Sequence, residues 1–181
     1  MKNKTIIFLA SIALVISAIS CNNKTEYETR KVDNLFALDI PTYMYDIDLD
    51  NAEASLSVGD SLQERYVMVI YETKEEIESY GLEVELTLDY YSEIVIEIFG
   101  QAFNNPKIEQ VNEEPKVING IPSLSFEIRG EFTEISENIY SYVTVFESDK
   151  SFYTLYIWGY ETDERNFAPE AHHITESFKE I

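Results

Sequence analysis

The 181-residue chain is poor in cysteine, glycine, proline and positive charge: one Cys, 6 Gly, 5 Pro, and 13 Lys+Arg against 34 Asp+Glu. One cysteine excludes an internal disulfide framework and any cysteine-based zinc site. A formal charge of −21 argues against nucleic acid as a partner, because phosphate binding needs a basic footprint. There is no Gly-x-Ser-x-Gly elbow and no glycine-rich phosphate loop. The 2 histidines, His172 and His173, are adjacent and offer a base without a recognisable nucleophile partner. Disorder is excluded as well: a hydrophobic fraction of 45% with 13% aromatics suits one folded core, and the length suits one domain.

What the sequence does have begins at its start. Lys2 and Lys4 precede an apolar run from Ile6 to Ile19, about 14 residues, which reads as a secretory h-region and is short of the roughly 20 a membrane span needs. Ala18-Ile19-Ser20-Cys21 follows and resembles a bacterial lipobox, in which the cysteine is lipidated and becomes the first residue. The other reading is an ordinary signal peptide cut near Ser20, which leaves a free thiol at Cys21. Residues 1–20 are thus expected to be a signal peptide, and 21–33 the lipidated cysteine with a polar, flexible tether. Residues 34–181 are expected to be a single domain. Removing 1–20 takes away two lysines and no acid, so anionic headgroups should repel the remainder and the lipid itself must supply the attachment. Asn22-Asn23 lacks the Asp that marks inner-membrane retention in enteric bacteria, which favours the outer membrane of a bacterial envelope.

Within the domain, Leu35 to Ile40, closed by Pro41, reads as a first strand. Leu62 to Tyr71 is apolar on both faces, which requires cover on both sides of the sheet. Thr73 and Glu76 form a capping box at a helix start. A longer helix is expected from Glu83 to Phe103 on the spacing of Leu88, Tyr91, Val95, Ile98 and Ala102, with Asn104-Asn105-Pro106 stopping it and a short strand following from Lys107 to Val111. Asn119-Gly120 signals a tight turn into a strand from Ile121 to Phe132. There Ser123, Ser125, Glu127 and Arg129 give one wet face. A hairpin follows, Ile139 to Phe146 and Ser151 to Tyr160, joined by Glu147 to Lys150. Phe167, Ala171, Ile174, Phe178 and Ile181 mark a terminal amphipathic helix starting near Asn166 or Pro169. The expected class is α+β, an antiparallel sheet of about five to six strands with helices on both faces.

Phe36-Ala37-Leu38-Asp39-Ile40-Pro41 resembles the opening strand of the PsbP-like family, and Asn119-Gly120-Ile121-Pro122-Ser123-Leu124 resembles its entry into a central strand. The order of long helix, late hairpin and terminal helix is similar too. Tyr43-Met44 stand where that family often has Trp. The resemblance covers 34–181 and implies an αβα sandwich used as a binding or assembly module, with no catalytic set to carry over.

Three candidate sites follow. Asp46, Asp48 and Asp50 have the spacing that opens a calcium loop, for a weak Ca2+ site. Asn51 and Ser57 then occupy the positions where that loop needs Gly and Glu, and the competing reading is a solvated acidic loop. His172 and His173 diverge by about 100° on a helix and read as surface residues rather than a metal pair. The aromatics Tyr140, Tyr142, Phe146, Phe152, Tyr156, Trp158 and Tyr160 recur at period two along the hairpin. They make either buried core or an open binding face for a small molecule or envelope protein. No cofactor other than weak Ca2+ is implied. The expected role is a lipid-anchored, non-catalytic binding or accessory module. The alternatives are an envelope hydrolase using carboxylates, which chance pairs in so acidic a chain cannot specify, or a metal supported by His172 or His173, and a calcium-binding protein.

Overall fold

The computed structural model describes residues 25–49, 53–81 and 85–181. The leader, Cys21 and Asn22 to Lys24 lie outside them, as does Asp50. The strands are β1 (Tyr27–Val32), β2 (Phe36–Pro41), β3 (Tyr45–Asp46), β4 (Ala54–Asp60), β5 (Arg65–Thr73), β6 (Phe103–Gln110), β7 (Lys116–Ile118), β8 (Ile121–Phe132), β9 (Glu137–Glu147), β10 (Ser151–Tyr160) and β11 (Lys179–Glu180). The helices are α1 (Lys74–Ser79), α2 (Leu88–Gly100) and α3 (Glu164–Ser177). An 8-stranded antiparallel sheet runs β3-β4-β5-β10-β9-β8-β6 with β7 on β8, and a 3-stranded sheet runs β1-β2-β11.

Two cores flank the large sheet. On one side, α3 and the small sheet enclose Phe36, Leu38, Val67, Val69, Phe146, Leu155, Phe167 and Phe178. On the other, α1 and α2 enclose Met68, Ile77, Leu88, Tyr91, Val95, Val143 and Phe152. The two-sided apolarity of β5 is met as expected, Val67 and Val69 facing one core and Met68 the other. The class is α+β with helices on both faces, and the large sheet has more strands than the expected five to six. Of the added strands, β3 and β7 are too short to show a period, whereas β4 alternates Ala54, Leu56 and Val58 with Ser55, Ser57 and Gly59 and places Leu56 and Val58 in the core on the α3 side. β3 and β7 are held by backbone pairing, which leaves no period in the sequence.

Four further expectations are corrected. Tyr27–Val32 is no tether but an edge strand registered on β2 from Tyr27↔Pro41 to Val32↔Phe36. Its apolar content is confined to the two ends, and Glu28, Arg30 and Lys31 give it the charged character that blunts an edge. The longer helix is confined to Leu88–Gly100, because the Thr87 hydroxyl accepts from the Tyr90 N–H as N-cap and Phe103 already opens β6. Within it Ile98 turns outward and is exposed, while Phe99 packs inward. The supposed wet face of β8 is buried at Ser123 and Ser125. Their hydroxyls are satisfied by the Lys116 carbonyl at 2.9 Å and by Thr144 at 2.9 Å, so α3 can close over them.

Several local readings hold in detail. The Thr73–Glu76 capping box is complete. Asn119 and Gly120 turn at φ 48 and 91, as a two-residue hairpin turn of this kind requires. The Asn119 side chain also donates to the carbonyls of Glu176 at 2.9 Å and Phe178 at 2.8 Å. The turn therefore fastens the end of α3, and with it the small sheet, to β8. Phe167, Ala171, Ile174 and Phe178 are fully buried, whereas Ile181 is exposed.

Candidate binding groove

The hairpin register decides what its aromatics do. The turn from Glu147 to Lys150 closes through Ser148 N–H to Ser151 O at 2.9 Å, pairing Phe146 with Tyr153, Tyr142 with Ile157 and Tyr140 with Gly159. Tyr140, Tyr142 and Phe146 therefore face α3, and Phe152, Tyr156, Trp158 and Tyr160 face α2. The seven rings are not one face. Tyr140, Phe146 and Phe152 are fully buried, and Tyr142 and Tyr156 nearly so. Only Trp158 and Tyr160 are half-buried and can meet a ligand.

What opens that end is the reach of α2. Its Tyr91 stacks on Phe152 at 4.2 Å and its Phe99 on Tyr156 at 4.2 Å, and the helix ends one residue later at Gly100. Beyond it the ring series continues uncovered, Tyr156 on Trp158 at 4.6 Å and Trp158 on Tyr66 at 5.3 Å. Trp158 and Tyr66 meet because they are register partners of β10 and β5. Ile47 and Leu49 on one side and Phe132, Ile135 and Ile139 on the other complete a groove of about 560 Å³. That volume lies within the roughly 300–1,000 Å³ of small-molecule sites. Asp48, Glu64 and Glu134 also line it.

The polar groups of the groove are held by neighbours. Tyr66 donates its hydroxyl to Glu64 Oε2 at 2.6 Å, and burial together with that carboxylate pushes its pKa up. Burial also pushes the Tyr156 phenol up to about 12, and its oxygen shares a hydrogen bond with Ser141 at 3.2 Å. Both phenols stay neutral at physiological pH.

Gly59 sets the position of Tyr66. It is the register partner of Tyr66, and a Cβ there would lie 2.5 Å from Tyr66 Cδ1 and 2.9 Å from the Arg65 carbonyl. Gly59→Ala is expected to cost about 1–3 kcal/mol by overpacking and to shift the emission of Trp158 as Tyr66 moves off it. Unfolding curves with tryptophan fluorescence check this; an unchanged spectrum with unchanged stability would show that Tyr66 is not held there.

The remaining expected site residues are scattered. Asp46 accepts from Arg30 Nη1 at 2.5 Å at the outer edge of the large sheet, and Asp48 lines the groove. Among the described residues no group of three His, Cys, Asp or Glu side chains is placed to hold a metal ion. His172 packs on the Tyr142 ring at 4.7 Å; His173 packs on Tyr27 at 4.0 Å and lies 3.5 Å from the Asp39 carboxylate. Sequence reasoning missed Tyr66, Ile47, Leu49, Phe132 and Ile135 as groove residues. The one signal for them was the aromatic run ending at Tyr160.

The layer order and strand topology define a PsbP-like αβα sandwich. No family model and no curated protein matches the sequence. Solved structures do match in fold. The solution structure of cyanobacterial PsbP (CyanoP) from Synechocystis sp. PCC 6803 aligns with TM-score 0.60 and 11% identity, over 90% of this chain and 96% of that one. A mutant of the protein Mog1 aligns with TM-score 0.56 and 8% identity, over 85% and 95%. LpqN, described as involved in cell envelope biogenesis of Mycobacterium tuberculosis, aligns with TM-score 0.50 and 11% identity, over 91% and 96%. At such identities the likeness is one of fold, and function has to be argued from the site.

Proposed function

We propose that this protein is a lipid-anchored bacterial envelope protein, held through Cys21 at the outer membrane, that acts as a non-catalytic binding module with its ligand in the groove at Trp158. The observation that carries the reading is the uncovered end of the ring series, where apolar walls from four segments converge on half-buried aromatics. Aromatic and apolar walls with a few polar groups are the usual composition of a ligand site. The lipobox-like Ala18 to Cys21 supports the anchor, and the shared fold with an envelope-biogenesis protein supports the compartment.

Chain length adds a geometric consequence. Only Asn22 to Lys24 separate Cys21 from Thr25, so an acylated Cys21 holds Thr25 within roughly 14 Å, at about 3.5 Å per residue. Thr25 bonds Glu170, Glu170 bonds Arg65, and Arg65 lies between the groove residues Glu64 and Tyr66. The groove therefore lies at the same end of β5 as that segment, on the sheet face opposite Arg65.

Two measurements test the proposal. Palmitate labelling is expected for the wild-type chain and absent for Cys21→Ser, with the labelled form recovered in the outer-membrane fraction; equal labelling of both removes the anchor. Nile red, a neutral apolar dye, is expected to bind the purified domain saturably and at least tenfold more weakly in the Trp158→Ala, Tyr160→Ala variant, about 1.4 kcal/mol or more. No saturable binding to the wild type would remove the groove as the site.

A further inference from the structure

The described side chains that line the groove include three carboxylates, Asp48, Glu64 and Glu134, and no Lys, Arg or His. Asp48 and Glu134 are exposed and Glu64 is half-buried, so the charge sits around the mouth while the ring series forms the floor. The Tyr66 hydroxyl already donates its hydrogen bond to Glu64. An anion entering here would meet three like charges without a basic side chain to pair with. A cation would meet them as partners. The whole chain acts in the same direction, since a formal charge of −21 concentrates cations near its surface.

Resting on the groove as the binding site, we propose that its ligand is a small organic cation with an apolar or aromatic body. The body lies on Trp158, Tyr160 and Tyr66, and the ammonium or guanidinium group lies at the mouth between Glu64 and Glu134. Each half answers a feature of the lining: the rings remove apolar surface from water, and the carboxylates replace the solvation of the charge.

The chain has 1 Trp, so its emission reports on this groove directly. Three soluble probes with nearly the same body separate the classes: phenethylammonium, phenethyl alcohol and phenylacetate. Titration at low salt is expected to show saturable change with phenethylammonium, binding about tenfold tighter than the alcohol and with no saturation by phenylacetate, the size that a few partly exposed charges supply. Raising salt should bring the cation towards the alcohol. The Glu64→Gln, Glu134→Gln variant should lose most of the cation's advantage over the alcohol. Equal binding of cation and alcohol to the wild type, or an unchanged cation preference in that variant, overturns the proposal while leaving the groove intact as a site. Loss of Nile red binding by the wild type is the separate failure of the groove itself.

Discussion

Arg65→Ala is expected to destabilise the domain by about 3–5 kcal/mol, the usual consequence of removing one partner from a buried ion pair. Arg65 and Glu170 are each only 8% exposed, and they meet at 2.9 Å through Arg65 Nη1 and Glu170 Oε2. The guanidinium also donates from Nε to Asp163 at 2.9 Å and lies over the Phe167 ring at 5.2 Å. Tyr43 donates its hydroxyl to Glu170 at 2.5 Å and Thr25 donates to the other carboxylate oxygen. One arginine thus ties β5 to α3, to the residue preceding α3, and to the segments flanking β1 and β2. Without it the buried Glu170 carboxylate loses the guanidinium it is placed against.

A double-mutant comparison separates that electrostatic loss from lost packing. Glu170→Gln alone should cost less than Arg65→Ala, and the double variant should be more stable than the sum of the single losses, because no buried charge is then left uncompensated. Denaturant midpoints of the four proteins check this. Strict additivity would show that Arg65 acts through its packing on Phe167 and not through Glu170.

The second large effect is expected at Phe178, where Phe178→Ala should cost about 3–5 kcal/mol. This residue is fully buried just beyond α3, stacked on Phe146 at 4.2 Å and near Phe36 at 5.6 Å and Tyr153 at 5.2 Å. Those three rings belong to β9, β2 and β10, so Phe178 joins the large sheet, the small sheet and the helix at one point. Its removal leaves a cavity that none of the layers can collapse into without moving the others. Amide exchange should show β11 and β1 opening first, since β11 follows Phe178 directly and, among the described strands, pairs only with β2. Protection of the small sheet left unchanged by Phe178→Ala would show that its docking depends on other contacts.

How far these features could be read from the residues depends on the range of the interaction that makes them. The Thr73–Glu76 box, the Asn119-Gly120 turn, the limits of β8 and β10, and the stripe from Phe167 to Phe178 all arise within a few residues, where side-chain periodicity and capping chemistry act. Strand β1 was illegible because its stability comes from backbone pairing with β2, which any sequence without strong local preference can make. The aromatic run on β9 and β10 was legible as a run. Its division between two faces was not, because period two orders side chains only within one strand.

From the chain alone came the α+β class, the sandwich with helices on both faces, the positions of the central strands and the identity of residues able to build a ligand site. These follow from local pattern and composition. Folding in three dimensions decided which of seven rings became core and which became groove wall. Cross-strand register turned Tyr140, Tyr142 and Phe146 towards α3, and the end of α2 at Gly100 left Trp158 and Tyr160 uncovered. Both depend on where distant segments stop and meet, information that no stretch of neighbouring residues contains.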